Sequence, residues 1–274
     1  ARWSHTVNRL DGHWPQAAKS SPRMHDDEHC DGRDGAHERS SVTGEDSFIG
    51  TVVGERYELT RRVGAGGFGF VYLAEHVTLG KTYAVKLLQK QLELDESQVK
   101  RFEREAKVLA AMQHANVVQV HDFGRDPQLG WYLTMDYLEG QELSDLINAK
   151  GSLAPERVVR IGRQAAAAFA YAHARGVVHR DVKSANLFMV GAEDEDNLKI
   201  LDFGIARLAT TEGEEADAKL TKTGMVIGSP AYLAPEQALG MELDGRTDIY
   251  SLGVVLYEML TGRVPFAGAS ALEV

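Results

Sequence analysis

Strand-like and helix-like patterns occupy different halves of this chain, and that division constrains the fold more than any other feature. Apolar and polar side chains alternate along residues 57–63, as they do in a half-buried strand. Similar patterns predict further strands at residues 70–75, 82–88, 117–124 and 131–137. One helical pattern lies among them, at residues 96–112. Residues 57–138 are therefore predicted to form a mostly antiparallel sheet with one helix.

The second half is mainly helical. Long helical patterns cover residues 155–174 and 247–261, and the second is apolar on nearly all faces, which predicts a buried helix. Only short strands are predicted here, around residues 177–178, 187–189 and 198–201. With a boundary near residues 136–140, the fold class expected is α+β with two lobes, the second spanning residues 139–274.

Composition excludes several functional classes. A formal net charge of -10 argues against a nucleic-acid or anionic-membrane surface, because both need clustered Lys and Arg. The single cysteine, Cys30, cannot form an internal disulfide, which fits a reducing cytosol. No apolar run approaches the roughly 18 residues of a membrane span. A cytoplasmic location is expected for this chain, with anchoring through a further C-terminal part left open.

Residues 1–50 are polar and show neither helical nor strand periodicity, so they are predicted to be disordered. The segment at residues 25–30 contains His, Asp, Glu and Cys, which are metal-ligand types. Its spacing matches no known metal motif and no second cluster follows, so a solvated segment is the preferred interpretation over a metal site.

A glycine-rich run follows the first strand pattern. It reads Gly64-Ala65-Gly66-Gly67-Phe68-Gly69-Phe70-Val71, and glycines allow backbone N–H groups to approach phosphate oxygens closely. Alone, this spacing also fits a dinucleotide-binding turn or a plain hairpin. A dinucleotide-binding fold needs a helix directly after the glycines, whereas a strand pattern continues here.

Lys86 lies in the middle of a predicted strand, between Val85 and Leu87. A half-buried lysine must find anions, either phosphates or a carboxylate from the following helix. Glu105 is the preferred carboxylate because it lies one turn before apolar Leu109, whereas Glu103 lies on a neighbouring face.

Two further motifs, His179-Arg180-Asp181-Val182-Lys183-Ser184-Ala185-Asn186 and Asp202-Phe203-Gly204, complete an ordered set with the glycine run, Ala84-Val85-Lys86 and Ala234-Pro235-Glu236. With these motifs the sequence resembles the eukaryotic-like protein serine/threonine kinases, and within them the bacterial members. The resemblance covers residues 57–274 and implies the two-lobed protein kinase fold. Each motif alone has an ordinary structural explanation; five in order at compatible spacings do not.

The resemblance implies roles for particular residues. Asp181 would orient the substrate hydroxyl and accept its proton, and Lys183 would stabilise the transferring phosphate. Asn186 and Asp202 would bind Mg²⁺. Ser229 stands where this class has a substrate-positioning threonine. Lys86 and Glu105 would form the pair that holds the ATP phosphates.

ATP is the implied second substrate. Its expected contacts are Val63, Gly64, Ala65, Gly66, Gly67, Phe68, Gly69, Val71, Ala84, Lys86, Met135, Asp136 and Leu138. Met135 would be the gatekeeper, and either Leu187 or Phe188 would form the floor of the adenine site.

Regulation and partners are also implied. Thr221 and Thr223 are expected to be autophosphorylated, with Arg180 binding the loop phosphate. The expected partners are proteins that bear Ser or Thr, and dimerisation through the N-terminal lobe is a further expectation. Ser184 replaces the usual proline of the catalytic loop. Family members continue beyond the position of Val274, so a piece of a longer protein is expected, in which Glu236 lacks its arginine partner.

Two alternatives remain open at this level. A catalytically inactive, partner-binding relative is disfavoured because Lys86, Asp181 and Asp202 are all present. A small-molecule phosphotransferase with the same lobes is disfavoured by the segment around Ala234-Pro235-Glu236.

Overall fold

The computed structural model describes residues 48–66, 69–88, 96–192, 195–203 and 230–268. In the first helix, the side chains of residues 96–98, 100–102 and 105 lie outside the described part. The disorder predicted for residues 1–50 also falls outside it, apart from Phe48, Ile49 and Gly50. Gly50 donates its N–H to the carbonyl of Leu59 at 2.7 Å, so these three residues are attached to the first sheet.

The first lobe is a six-stranded antiparallel sheet with the strand order β1-β2-β3-β4-β6-β5. Its strands are β1 (Val52–Val53), β2 (Tyr57–Gly66), β3 (Gly69–His76), β4 (Thr82–Leu88), β5 (Val120–Asp126) and β6 (Gly130–Asp136). Helix α1 (Glu96–Ala110) connects β4 to β5. The antiparallel sheet with one helix is thus confirmed, and β1 is an addition that the sequence pattern did not predict.

The second lobe contains a small antiparallel sheet and four α-helices among the described residues. The strands are β7 (Gly140–Glu142), β8 (Leu187–Val190) and β9 (Asn197–Ile200). The helices are α2 (Leu143–Lys150), α3 (Pro155–His173), α4 (Pro235–Ala238) and α5 (Gly245–Thr261). None of the helices in the described part is long and apolar enough to cross a membrane.

Two predictions for this lobe were wrong. Residues 177–178 form no strand, because the N–H of Val177 donates to Ala172 at 3.0 Å and closes the end of α3. Helix α5 is not buried all round: Ile249 is 51% exposed and Leu260 is 46% exposed. One face of α5 packs against the core, and no described residue covers the opposite face.

The first sheet separates two apolar clusters, because side chains alternate between the faces of a strand. Val85 and Leu87 of β4 belong to an outer cluster with Tyr72. Ala84 and Leu88 face the other way and belong to a core that also contains residues of the helical lobe. That shared core joins the two lobes next to the site described below.

Candidate active site

Lys86 lies on the face of β4 that packs toward the helical lobe. Its neighbours on that face, Ala84 and Leu88, belong to the shared core. Only 5% of Lys86 is exposed, and its Nζ atom donates to Oδ2 of Asp202 at 2.7 Å. Since a buried ammonium group needs a nearby anion, this ion pair offsets part of the cost of burial. The predicted partner Glu105 lies in α1, but its side chain is outside the described residues.

Asp202 follows β9 in a left-handed backbone conformation, with φ of 57°. Arg180, in the loop before β8, also has a positive φ, of 68°. Such torsions cost on the order of 1–3 kcal/mol in residues other than glycine and cluster at functional sites. The N–H of Leu201 donates to the carbonyl of Asn186 at 2.9 Å, which ties the Asp202 segment to that loop. Strained backbone and charged side chains therefore coincide here.

Asp181 is held by two side chains of its own loop, which we call the catalytic loop (residues 179–186). Lys183 Nζ donates to Asp181 Oδ2 at 2.8 Å, and Asn186 Nδ2 donates to the same oxygen at 3.0 Å. Asn186 Nδ2 also lies 2.6 Å from the Asp181 carbonyl oxygen. No hydrogen bond among the described residues uses Asp181 Oδ1. The carboxylate is thus oriented through one oxygen, and the other can accept a proton.

The catalytic loop is fastened to α5 by Asp248, which is fully buried. Its two carboxylate oxygens accept the backbone N–H groups of His179 and Arg180, both at 2.8 Å. His173 Nε2 lies 2.7 Å from the same carboxylate. On the other side, Gln237 Nε2 donates to the Arg180 carbonyl at 2.8 Å. The unusual torsion of Arg180 is therefore fixed at both its N–H and its carbonyl.

The His179 ring joins this loop to the Asp202 segment. Its Nδ1 accepts the N–H of Asp181 at 3.3 Å, so Nε2 carries the proton and donates to the Leu201 carbonyl at 2.8 Å. The ring centre lies 4.8 Å from that of buried Phe203. Asp181 and Asp202 are therefore carried by one packed unit.

The oxygen atoms at this junction suit a hard divalent cation. Lys86 binds Oδ2 of Asp202, and no hydrogen bond within the described part of the chain uses Oδ1. Asn186 directs its amide nitrogen to Asp181, and its Oδ1 likewise has no described hydrogen bond. Carboxylate and amide oxygens are ligand types of Mg²⁺, which retains several waters and needs few protein ligands. The residues present fit the magnesium site expected at Asn186 and Asp202.

Close packing among the described residues requires glycine at one position of the glycine-rich run, Gly69, but not at another, Gly64. Residues 67–68 lie outside the described part. Gly69 has φ of 141°, and a Cβ there would lie 1.9 Å from the carbonyl oxygen of Leu87, so the packing of β3 on β4 requires a glycine. Among the described residues, the nearest atom to a Cβ on Gly64 would lie 3.8 Å away, on Val71. Contacts with the described part of the chain therefore do not require glycine at that position.

The connection between the lobes runs from the end of β6 at Asp136 to Gly140. Met135 pairs with Ala84 of β4, and both are buried in the shared core. Leu138 lies in the connection and is half-buried. Its backbone N–H and C=O form no hydrogen bond with any residue that the structure describes. Because backbone groups are normally paired when shielded from water, this donor and acceptor can serve a ligand.

Other predicted residues lie outside the described part of the chain. These are Gly67, Phe68, Thr221, Thr223 and Ser229. Glu236, for which the arginine partner was expected to be missing, accepts a hydrogen bond from Thr247 Oγ1 at 2.8 Å.

The structure also shows a polar cluster that the motifs did not reveal. Ser184, Tyr232 and Glu258 form a hydrogen-bonded cluster beneath the catalytic loop. The signal available in the sequence was Glu258 itself, a lone carboxylate in an otherwise apolar stretch. Glu142, at the end of β7, is a further acidic group near the site. Desolvation by the surrounding protein raises its pKa, although its side chain keeps exposed surface and Ser144 donates to its carboxylate at 3.0 Å.

A small antiparallel lobe, a helical lobe, and paired lysines and carboxylates at their junction define a class of phosphate-transferring enzymes. The comparisons with known proteins agree with this class. The chain matches the protein kinase domain family over residues 57–273. The chain therefore belongs to the protein kinase family.

Its curated relatives include bacterial serine/threonine-protein kinases. The kinase pkn3 of Myxococcus xanthus is 39% identical over 228 residues, which cover 83% of this chain and 41% of the relative. PknB of Mycobacterium tuberculosis is 41% identical over 223 residues, covering 80% of this chain and 34% of the relative. PrkC of Bacillus subtilis is 38% identical over 227 residues, which cover 83% of this chain and 34% of the relative. The chain thus spans less than half the length of these relatives.

Solved structures show the same fold. The kinase domain of M. tuberculosis PknI aligns with a TM-score of 0.63 and 27% identity, covering 80% of this chain and 77% of that one. Rad53 residues 1–466 in complex with AMP-PNP aligns with a TM-score of 0.64 and 30% identity, covering 80% of this chain and 52% of that one. The expected two-lobed kinase fold is confirmed.

Proposed function

We propose that this chain transfers the γ-phosphate of ATP to serine and threonine hydroxyl groups of proteins, with Mg²⁺. One observation carries the proposal: an unbroken series of contacts from β4 to the catalytic loop. Lys86 binds Asp202, the residue before Asp202 bonds Asn186, and Asn186 binds Asp181. Lys183 completes the series through Asp181. Phosphoryl transfer consists largely of positioning and charge neutralisation, and these groups supply both.

The two lysines suit the two ends of the reaction. Lys86, buried beneath the glycine-rich run, is placed to hold the phosphates of the bound nucleotide. Lys183 lies beside the proposed base and would stabilise negative charge on the group in transit. Bound Mg²⁺, held by Asn186 and Asp202, would supply the remaining neutralisation of the phosphate oxygens.

Asp181 would orient the acceptor hydroxyl through Oδ1 and receive its proton. Its Oδ2 is held by Lys183 and Asn186, so the side chain cannot rotate without losing both hydrogen bonds. A base fixed in this way contributes by positioning as well as by proton transfer.

The adenine ring would bind at the connection between the lobes. The backbone groups of Leu138, which no described residue bonds, offer one donor and one acceptor to the edge of the ring, and Ala84 lies on the neighbouring strand opposite Met135. Of the two candidates for the floor, Leu187 is fully buried while Phe188 keeps exposed surface, so we propose Phe188. A Cβ on Gly64 would make no close contact with the described residues, which supports a phosphate-approach role for that glycine.

We further propose that phosphorylation at Thr221 and Thr223 raises the activity, and that Ser229 positions the acceptor residue. The sequence between Asp202 and Glu236 supports this, since it is polar and carries both threonines close to Ser229. Arg180, next to Asp181, is the cation that would bind a phosphothreonine.

Proteins are the proposed acceptors, and two copies are proposed to associate through the β lobe. Large apolar side chains are exposed there at Val52, Val77 and Leu79, which supports such a contact. Sedimentation of the chain at several concentrations tests it, and a monomer at all of them contradicts it.

The experiment for the proposed function is transfer of radiolabelled γ-phosphate to casein in the presence of Mg²⁺. Asp181→Asn should reduce the rate by about 10²- to 10⁴-fold, the usual contribution of a positioned base. Asp145→Asn, which changes an exposed aspartate of α2, is the matched control and should retain the wild-type rate. An Asp181→Asn variant as active as that control would contradict the assigned role.

A further inference from the structure

Ser184 occupies a buried position directly after Lys183 in the catalytic loop. It is the first residue of a 3₁₀ turn (Ser184–Asn186) and is 2% exposed. Its hydroxyl lies 3.1 Å from the phenolic oxygen of Tyr232 and 3.3 Å from Oε1 of Glu258. Tyr232 itself donates to Oε2 of Glu258 at 2.8 Å. One carboxylate thus accepts hydrogen bonds from two hydroxyl groups on different segments.

Each polar atom in this cluster has a partner. Burial raises the pKa of Tyr232, and the carboxylate of Glu258 raises it further, so the phenol stays protonated and remains a donor. Since the phenol donates to Oε2 of Glu258, the single proton of Ser184 goes either to Oε1 or to the phenolic oxygen. A fully satisfied buried cluster holds its members in one arrangement, because any displacement leaves a polar group unpaired.

The backbone at this position does not itself require a serine. Lys183 is extended, with φ of −156° and ψ of 163°, a conformation compatible with a following proline. The backbone N–H of Ser184 makes no hydrogen bond within the described residues, and proline is well suited to the first residue of a helical turn. Proline would therefore fit without loss of a backbone bond. What only serine provides is the hydroxyl.

Tyr232 belongs to the second 3₁₀ turn (Pro230–Tyr232), just before α4. Its carbonyl accepts the hydroxyl of Ser251 at 2.7 Å, and its phenol binds Glu258, so the turn is anchored to α5 at two points. Among the described residues, the Ser184 hydroxyl links this turn to the catalytic loop through its contact with the Tyr232 phenol. Ser184 lies three positions after Asp181, the residue proposed to orient the acceptor hydroxyl.

We propose that Ser184 is a positioning residue that fixes the Pro230–Tyr232 turn against the catalytic loop and thereby sets the affinity for the protein acceptor. The proposal rests on the proposed kinase function. The nucleotide is bound by other elements, β2 to β4 and the connection at Leu138. Loss of the hydroxyl should therefore raise the KM for the protein acceptor about three- to tenfold, as expected for the loss of one ordinary hydrogen bond. The KM for ATP and the value of kcat should stay within about twofold of wild type.

Ser184→Pro and Ser184→Ala test this directly, with casein and Mg·ATP as substrates. Both variants remove the hydroxyl. The proline variant also restricts the backbone, so an effect that both share comes from loss of the hydroxyl. The same rise in the acceptor KM for both variants, with an unchanged KM for ATP, is the expected result. A wild-type acceptor KM in Ser184→Pro overturns the proposal, and equal rises in both KM values overturn it as well, because they indicate general loosening.

A double-mutant cycle isolates the contact from other effects. Ser184→Ala and Tyr232→Phe should be non-additive in the acceptor KM and in thermal unfolding. Tyr171→Phe is the matched control, because its phenolic oxygen accepts from the Gln113 N–H at 3.0 Å in another part of the lobe. It should combine additively with Ser184→Ala.

The double-mutant cycle in thermal unfolding also distinguishes failure of the proposed kinase function from failure of the proposal for Ser184. If the wild-type chain transfers no phosphate, the proposed kinase function fails, while non-additivity in unfolding still supports the link between Ser184 and Tyr232. If transfer occurs but both cycles are additive, the positioning role of Ser184 is wrong and the kinase function stands.

Discussion

At the scale of single residues, Lys86 and Asp202 each depend on the other. Lys86 is 5% exposed, and its ammonium nitrogen lies 2.7 Å from the Asp202 carboxylate. Removing one partner of a buried pair leaves an uncompensated charge, whereas removing both does not. Removing both partners should therefore restore stability without restoring activity, so the two effects can be distinguished at this site.

We predict that Asp202→Ala abolishes phosphate transfer and also lowers the free energy of unfolding by about 1–3 kcal/mol, because Lys86 loses its anion. Adding Lys86→Met should recover most of that stability and none of the activity, which should stay at least about 100-fold below wild type. Chemical denaturation and a transfer assay on the same samples measure both. A double variant less stable than Asp202→Ala would contradict the ion-pair account.

The sequence was informative about residues whose chemistry lies in a short motif. Asp181, Lys183 and Asn186 fall within one octapeptide, and the structure brings their side chains together. The contact between Ser184 and Glu258 joins positions 74 residues apart, and no local pattern encodes it. Glu105 stays a prediction, because its side chain lies outside the described residues.

At the scale of elements, the turn between β5 and β6 is stabilised by Asp126, which is 8% exposed. Its carboxylate accepts the backbone N–H groups of Gly54, Gln128 and Leu129 at 2.9–3.0 Å. Burial alone would raise the pKa of Asp126, but these three hydrogen bonds outweigh burial and lower it. A lowered pKa in the folded state means that the carboxylate stabilises the fold above its unfolded pKa, about 3.9. That stabilisation is lost as the pH falls toward the folded pKa.

Asp126→Asn should therefore reduce the unfolding free energy at pH 7 by about 1–3 kcal/mol, since an amide oxygen accepts less strongly and its NH₂ opposes the donors. The loss of stability between about pH 5 and pH 3 should also be smaller in the variant than in wild type. Thermal unfolding across that range provides the comparison. Asp145→Asn is the control: this exposed aspartate of α2 forms no hydrogen bond with the described residues, so the melting temperature of the variant should match wild type across the range.

Periodicity predicted most of the elements but not which faces are covered. The boundaries of α3 and β4 lie within a residue of those expected, because both have strong periods and clear flanking signals. Strand β1 has two residues, too few to show any period. For α5, apolar residues on every side predicted burial, yet Ile249 and Leu260 are exposed. Composition gives the polarity of a face, and tertiary packing determines whether anything lies against it.

At the scale of the whole molecule, the two-lobed architecture followed from the change of period near residues 136–140. The shared core across both lobes did not, because it is formed by contacts between distant parts of the chain. The same holds for the hydrogen bond from Gln237 of α4 to the Arg180 carbonyl of the catalytic loop.

Regulation through the segment between Asp202 and Glu236 is a prediction at this scale. Incubation with Mg·ATP should add phosphate at Thr221 and Thr223, and the modified chain should be more active, because a phosphothreonine carries about −1.5 to −2 charges that Arg180 can bind. Intact-mass analysis with peptide mapping measures the addition. Replacing both threonines with alanine should prevent the activation. Undiminished activity of that double variant would leave the switch without support.

The central claim is that the contact series from Lys86 to Lys183 transfers the terminal phosphate of ATP to protein hydroxyl groups. Its most direct measurement uses ATP labelled in the γ or the α position, followed by acid hydrolysis of the labelled protein and separation of the phosphoamino acids. We predict phosphoserine and phosphothreonine from γ-labelled ATP in the presence of Mg²⁺, and no label from α-labelled ATP. Absence of protein-bound label from γ-labelled ATP, or label that enters from the α position, would contradict the claim.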